Sequence, residues 1–302
     1  MRSAALIAVV ALAACAPPAG QRAGAAHPTI VSLNPCTDAI LAEVTAPGQL
    51  LAISHYSHDP RGSSMPLAEA RRFRAIGGTV EEVLALKPDI VVTGGFLDPA
   101  TAQAFARLGM RVETVGIAAT AADSEAQVRH LAALIGQPAK GEALARRINR
   151  AVAAANRSGP PVSALVWQEG GIVPGSHTLV ADLLHNSGFV SQSAVRGLGQ
   201  GAYLPLEQVL ADPPRLVIAA GDERMQRHPA LRRLRGVRYA SLEPNLLYCG
   251  GPTIPRLAAR LAALRDGISG LLPLAGGVWG GNDHRSWAGP PPAPPARGRG
   301  EI

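Results

Sequence analysis

Glu81-Glu82-Val83-Leu84-Ala85-Leu86-Lys87-Pro88-Asp89-Ile90-Val91-Val92 and Glu207-Gln208-Val209-Leu210-Ala211-Asp212-Pro213-Pro214-Arg215-Leu216-Val217-Ile218 are one pattern written twice. At a constant offset Glu81 matches Glu207, Val83 matches Val209, Leu84 matches Leu210 and Ala85 matches Ala211. Pro88 matches Pro214, and Val91 matches Val217. A proline disfavours helix for the residue before it, so each copy reads as a short helix that stops ahead of its proline. Each then enters a β-rich apolar run of the kind that forms a buried parallel strand. Two copies far apart predict two similarly built lobes rather than a solenoid of many repeats.

Outward from the repeat, the same alternation continues. Short apolar runs bounded by turn residues lie at 29–33, 50–54, 90–93 and 111–115, with helical patterns at 38–44 and 101–108. The second half offers runs at 162–167, 215–220 and 237–242, with helical patterns at 179–186 and 206–211. Strands alternating with helices predict an α/β fold with parallel sheets. Between the halves, Ser124 reads as the cap of a helix that ends near Ile135-Gly136. Pro138 suits the first position of a second helix, whose Leu144, Ile148, Ala151 and Ala155 share a stripe. The expected organisation is an N-terminal lobe at 28–122, connecting helices at 123–157 that act as a strut, and a C-terminal lobe at 158–266.

The ends of the chain read differently. Arg2 precedes an apolar run over 4–14, about half the roughly twenty residues that a membrane-spanning helix needs. That length suits a secretory signal. Leu12-Ala13-Ala14-Cys15 resembles the bacterial lipobox, which implies a signal peptide at 1–14, lipid on Cys15 and a periplasmic or extracytoplasmic protein anchored to a membrane. Residues 15–27 are rich in Ala, Pro and Gly and read as a tether. Residues 267–302, with their run of prolines from Pro290 to Pro295, lack the composition of a core and read as a disordered tail.

Hydrophobic residues make up 47% of the 302, enough for substantial cores. The net charge of +7 raises nucleic acid as a partner, but the arginines are scattered and only 4% of residues are aromatic, so no base-stacking platform exists. The charge reads as solvated surface with a modest pull on an anionic ligand. Beyond Cys15, Cys36 and Cys249 remain, and an oxidising compartment would allow them one bridge if the fold brings them close. The chain carries no Walker phosphate loop, no G-x-S-x-G elbow and no H-E-x-x-H, so the sequence is not read as an enzyme.

Ile30-Val31-Ser32-Leu33-Asn34-Pro35, the Leu84–Val91 run and Leu206-Glu207-Gln208-Val209-Leu210-Ala211 resemble the periplasmic binding proteins of iron-chelate and cobalamin ABC importers, over roughly residues 29–266. That resemblance implies two Rossmann-like lobes joined by a long connecting helix, a monomer without a resident cofactor, and an iron-siderophore, haem or cobalamin-type cargo between the lobes. It also implies an ABC permease and a cytoplasmic ATPase as partners, with Glu81 and Glu207 as the carboxylates that dock on permease arginines. One carboxylate on each lobe would make a two-point dock.

In such proteins cargo meets the loops after the C-terminal ends of the strands, here near 34–37, 54–59, 94–97, 168–172, 199–203 and 246–251. The candidate contacts are Asn34, Cys36, Thr37, His55, Tyr56, Phe96, Trp167, Gln168, Tyr203 and Tyr248. The loop Ser54-His55-Tyr56-Ser57-His58-Asp59 resembles that of the cobalamin binders, and Tyr56 has a ring able to lie against a macrocycle. Two alternatives stand beside this reading. His55, His58, Asp59, Cys36 and Cys249 offer the ligand types of a bare divalent-metal binder such as a zinc or manganese carrier. An anchored ligand sensor without a transporter would keep the fold and dispense with the docking pair.

Overall fold

The computed structural model describes residues 27–221 and 226–269. The expected signal peptide, Cys15, nearly all of the tether and residues 270–302 lie outside the described residues.

From the N-terminal side the chain runs β1 (Ile30–Ser32), α1 (Pro35–Val44), β2 (Leu50–Ser54), α2 (Leu67–Ala70), β3 (Ala75–Ile76), α3 (Val80–Leu86), β4 (Ile90–Gly94), α4 (Pro99–Arg107) and β5 (Val112–Val115). Two helices follow, α5 (Ala121–Leu134) and α6 (Pro138–Ala155). The second half runs β6 (Val162–Gln168), β7 (Ile172–Val173), α7 (Leu179–Asn186), β8 (Phe189–Ser191), α8 (Gln192–Val195), β9 (Ala202–Tyr203), α9 (Leu206–Ala211), β10 (Leu216–Ala220), α10 (Pro229–Arg232), β11 (Arg238–Leu242) and α11 (Ile254–Ser269).

The strands form a five-stranded sheet in the order β3-β2-β1-β4-β5 and a four-stranded sheet in the order β11-β10-β6-β8. Every neighbouring pair in both is parallel. The orders β2-β1-β4-β5 and β8-β6-β10-β11 correspond strand for strand, so the sequence repeat is a repeat of topology. Its two copies are α3 leading into β4 and α9 leading into β10, and both strands sit inside their sheets.

The local chemistry explains where α3 begins and ends. Thr79 caps it reciprocally with Glu82. Lys87 closes it with φ 48°, in the left-handed region, immediately before Pro88. Val83 and Val209 are fully buried beneath their helices, while Glu81 and Glu207 face outward.

The connecting segment begins earlier than its sequence suggests. Thr120, not Ser124, caps α5 in a box with Asp123. Ser124 is fully buried, and its hydroxyl accepts the Gly251 N–H at 2.7 Å. The connection is a pair of packed helices, α5 and α6, turned back on each other at 135–137, rather than one rod. At the far end, α11 runs through Ser269, so residues 267–269 belong to a helix and not to a tail.

One apolar cluster of the described residues spans both sheets and the helices between them. Ile30, Ile53 and Ile90 of the first sheet, Val128 and Ile148 of the connecting helices, Val166 and Ile218 of the second sheet and Leu261 of α11 all belong to it. A buried side chain of this size stabilises by about 1.5–3 kcal/mol. Two lobes that share such a core are not free to swing on a flexible linker.

Candidate functional site

A cleft of about 680 Å³ opens between the two sheets at the C-terminal ends of their strands. Asp59, Arg61 and Gly62 wall it from the first lobe. Gln168, Glu169, Glu243 and Tyr248 wall it from the second, with Ile172 beside them. Open α/β sheets bind ligands at this end of their strands.

The first-lobe wall is built on a buried carboxylate. Asp38 in α1 is fully buried and accepts the Ser54 N–H at 3.0 Å and the Ser57 hydroxyl at 2.7 Å. Those bonds hold the single turn His55–His58, which projects the Tyr56 and His55 rings into solvent with centroids 4.1 Å apart. Tyr56 is 56% exposed. A Cβ on Gly62 would meet the Tyr56 carbonyl at 2.9 Å, so the same turn carries the aromatic ring and the cleft wall. Burial pushes the Asp38 carboxyl up to about 7, against the pull of its hydroxyl and amide donors.

The other wall rests on a cross-link between lobes. Cys36 and Cys249 form a disulfide with Cα atoms 5.1 Å apart. The Ser64 hydroxyl donates to Cys249 Sγ at 2.8 Å. Gly250 and Gly251 come so close to α5 and α1 that a Cβ would meet Ser124 Oγ at 2.4 Å and Ile40 Cγ1 at 2.7 Å. Tyr248 leads directly into this clamp and is 49% exposed over the cleft.

The expected contact residues divide. Gln168 and Tyr248 line the cleft. Tyr56, Phe96 and Tyr203 are exposed at 56%, 85% and 60% and are not among the residues that line the cleft. Tyr203 pairs with Ile172 across the short antiparallel ribbon β7–β9, which puts an exposed ring beside a lining residue. Asn34 does structural duty, since its side chain caps α1 by accepting the Cys36 N–H at 2.9 Å. Thr37 is 2% exposed and hydrogen-bonded to Ser32 Oγ and the Asn34 carbonyl, so it offers nothing to a cleft ligand.

Trp167 is also corrected. It is fully buried, donates its indole N–H to the Leu204 carbonyl at 3.1 Å, and packs with Val173, Val209 and Leu231. Strand side chains alternate between faces, and β6 runs one residue further than expected, so Gln168 reaches the cleft in its place.

The metal-ligand set does not assemble. Both cysteines are consumed in the disulfide, which has no thiolate to offer. A ring nitrogen of His58 is bonded to the Ala70 carbonyl at 3.1 Å, and one of His55 to the Ile76 carbonyl at 3.3 Å. Among the described residues no three of His, Cys, Asp and Glu gather as a metal site. Among the described residues Arg61 is the one arginine in the cleft lining, and Arg72 is paired with Glu69, so the described lining is not the basic patch that would attract an anion. Sequence reasoning passed over Glu169 and Glu243, whose only signal was their place just after strand ends.

Two matching parallel-sheet lobes, a helical connection and a cleft at the strand ends define a two-lobed binding protein. The chain belongs to the periplasmic binding protein family, whose sequence model matches residues 30–239. Among solved structures it is similar to the periplasmic haem-binding protein RhuT from Roseiflexus sp. RS-1, with 19% identity, a TM-score of 0.64, and coverage of 79% of this chain and 97% of that one. It is similar to the vitamin B12-binding protein BtuF of Vibrio cholerae, with 17% identity, a TM-score of 0.62, and coverage of 80% and 98%. It is likewise similar to the haem-binding protein HutB of Vibrio cholerae, with 16% identity, a TM-score of 0.65, and coverage of 78% and 98%. At these identities the likeness is one of fold. No curated protein sequence matches the chain.

Proposed function

We propose that the protein is the lipid-anchored cargo receptor of an ABC importer, capturing a metal macrocycle or chelate between its lobes and presenting it to the permease. The observation that carries the reading is the cleft of about 680 Å³ at the strand ends of a periplasmic binding protein fold, with exposed Tyr248 in its lining, Tyr203 paired with the lining residue Ile172, and Tyr56 on the turn that leads into Asp59. Aromatic rings of this kind suit the flat face of a haem or corrinoid. The similar solved structures include proteins described as haem- and vitamin B12-binding, which supports the same cargo class.

Docking falls to Glu81 and Glu207, exposed second residues of α3 and α9 at equivalent places in the two lobes. Neither carries an ion pair among the described residues, so each is available to an arginine of a permease. The shared core and the cross-link favour a small closing motion over a wide hinge. ATP hydrolysis by another chain then separates the lobes far enough to release cargo. The bare-metal alternative is weakened by the loss of both cysteines to the disulfide.

The test is calorimetric titration with cobalamin, haem, ferric siderophores and zinc. Calorimetry is preferred to tryptophan fluorescence because Trp167 is sealed in the core. Saturable binding of a macrocycle or chelate at about micromolar or tighter is the expected result. Binding of zinc alone would move the protein to the bare-metal class.

A further inference from the structure

We infer that the cleft selects its cargo by charge, accepting a neutral or cationic macrocycle or chelate that bears hydrogen-bond donors and turning away one that bears carboxylates. The inference rests on the cleft being the cargo site, as proposed above.

The sheet register builds the selective wall. Gln168, Ala220 and Leu242 are neighbours across β6, β10 and β11. The residues following the first and last of them are Glu169 and Glu243, so two carboxylates flank the end of the central strand. Two strand spacings put their backbones about 10 Å apart. Between them the described part of the central strand ends in Ala220 and Gly221. Gly221 has φ 123°, and a Cβ there would fall 2.3 Å from Glu169 Cγ. The missing side chain is what lets Glu169 lie across the strand end.

The charge on this wall is only partly compensated among the described residues. Glu243 is shared with Arg256 at 2.8 Å, an exposed pair. Glu169 is exposed and has no ion pair among the described residues. On the facing wall Arg61 stands beside Asp59, whose carboxylate also accepts the Arg61 backbone N–H at 2.9 Å. The described lining therefore sets Asp59, Glu169 and Glu243 against Arg61 and the Arg256 that pairs with Glu243, which leaves Glu169 uncompensated in a chain whose net charge is +7. Among the described residues the lining is acidic by one charge where the chain as a whole is basic.

A carboxylate brought against Glu169 and Glu243 meets like charge, and building repulsion against the wrong partner is how binding sites acquire specificity. An amide N–H or an ammonium in the same place finds ionised acceptors, which make the stronger class of hydrogen bond. Amide-decorated corrinoids fit this wall; a porphyrin with free carboxylates does not.

The experiment uses matched pairs that differ only in charge: a corrinoid with amide side chains against its carboxylate form, and iron protoporphyrin dimethyl ester against the free diacid. Calorimetric titration should show the uncharged member binding at least about tenfold tighter. The gap should narrow between about 50 mM and about 500 mM salt, because both carboxylates are solvent-exposed. In the Glu169→Gln/Glu243→Gln double variant the gap should fall below about threefold. Equal or tighter binding of the carboxylate members, or a gap that survives in the double variant, overturns charge selection and leaves the cleft a macrocycle site. Binding of no member of either pair overturns the cargo reading itself, and this inference with it.

Discussion

Cys36, in the first turn of α1, is bonded to Cys249, 213 residues later, and the bond joins the first lobe to the loop that carries Tyr248 over the cleft. Tyr248 is therefore anchored to α1 as well as to its own sheet. The two walls of the cleft meet at a fixed edge, and any opening must pivot there.

Breaking that edge should be costly. A cross-link closing so long a loop restricts the unfolded chain strongly, and losing a native disulfide commonly costs about 2–4 kcal/mol. Cys36→Ser/Cys249→Ser should unfold at a clearly lower urea concentration than the oxidised parent. Dithiothreitol should lower the midpoint of the parent and leave that of the variant where it is. Equal midpoints for parent and variant would show that the shared core alone sets the stability.

Glu81 and Glu207 should behave as a docking pair. Both are exposed on short helices, away from the cleft lining. Glu81→Ala/Glu207→Ala is expected to reduce uptake through the reconstituted permease by more than about tenfold while the cargo dissociation constant stays within about twofold. A parallel loss of cargo affinity would mean that the glutamates act on the fold or the site and not on the permease.

The repeat at 81–92 and 207–218 was enough to read two lobes from the sequence, because proline stops and apolar strands are local signals. Leu50–Ser54, Leu179–Asn186 and Leu206–Ala211 fall where the pattern predicts them. The site was less legible. β7 and β9 are two residues each, too short to show a period, yet they place Ile172 and Tyr203 side by side. Trp167 and Gln168 differ by one step of strand alternation, which a boundary error of one residue reverses. Nothing local to Cys36 or Cys249 announces the other, since their pairing depends on how the lobes sit together.

Tyr56 and Trp167 separate a cleft aromatic from a core aromatic. Tyr56→Ala should weaken macrocycle binding by about tenfold, because an aromatic pair contributes about 0.5–1.5 kcal/mol beyond the area it buries. It should leave stability nearly unchanged, since Tyr56 is 56% exposed. Trp167→Phe should do the opposite. It strands the Leu204 carbonyl and leaves a void, costing about 1–3 kcal/mol, with affinity within about twofold. Denaturant melts and calorimetric titrations on both variants decide the matter. An affinity loss in Trp167→Phe equal to that in Tyr56→Ala would bring the indole back to the site.

Asp38 should give the protein a distinctive pH dependence. Its carboxyl has an ordinary value of 3.8 and is pushed up to about 7 by burial. Between those values the folded state holds a proton that the unfolded chain has released. Stability therefore falls as pH rises from about 4 to about 7, with nothing further lost from this group above that. At about 1.4 kcal/mol per pH unit the loss amounts to several kcal/mol. Glu82, Glu142 and Asp266 have lowered values and act in the opposite sense, but only at more acidic pH, where those carboxylates take up protons. The signature of Asp38 is thus a decline in the urea midpoint between about pH 4 and about pH 7. Asp38→Asn, which keeps an acceptor for Ser54 N–H and the Ser57 hydroxyl, should flatten that decline. Asp38→Ala should flatten it too, but should also release the turn that presents Tyr56 and so weaken cargo binding. A slope unchanged in Asp38→Asn would locate the titrating group elsewhere.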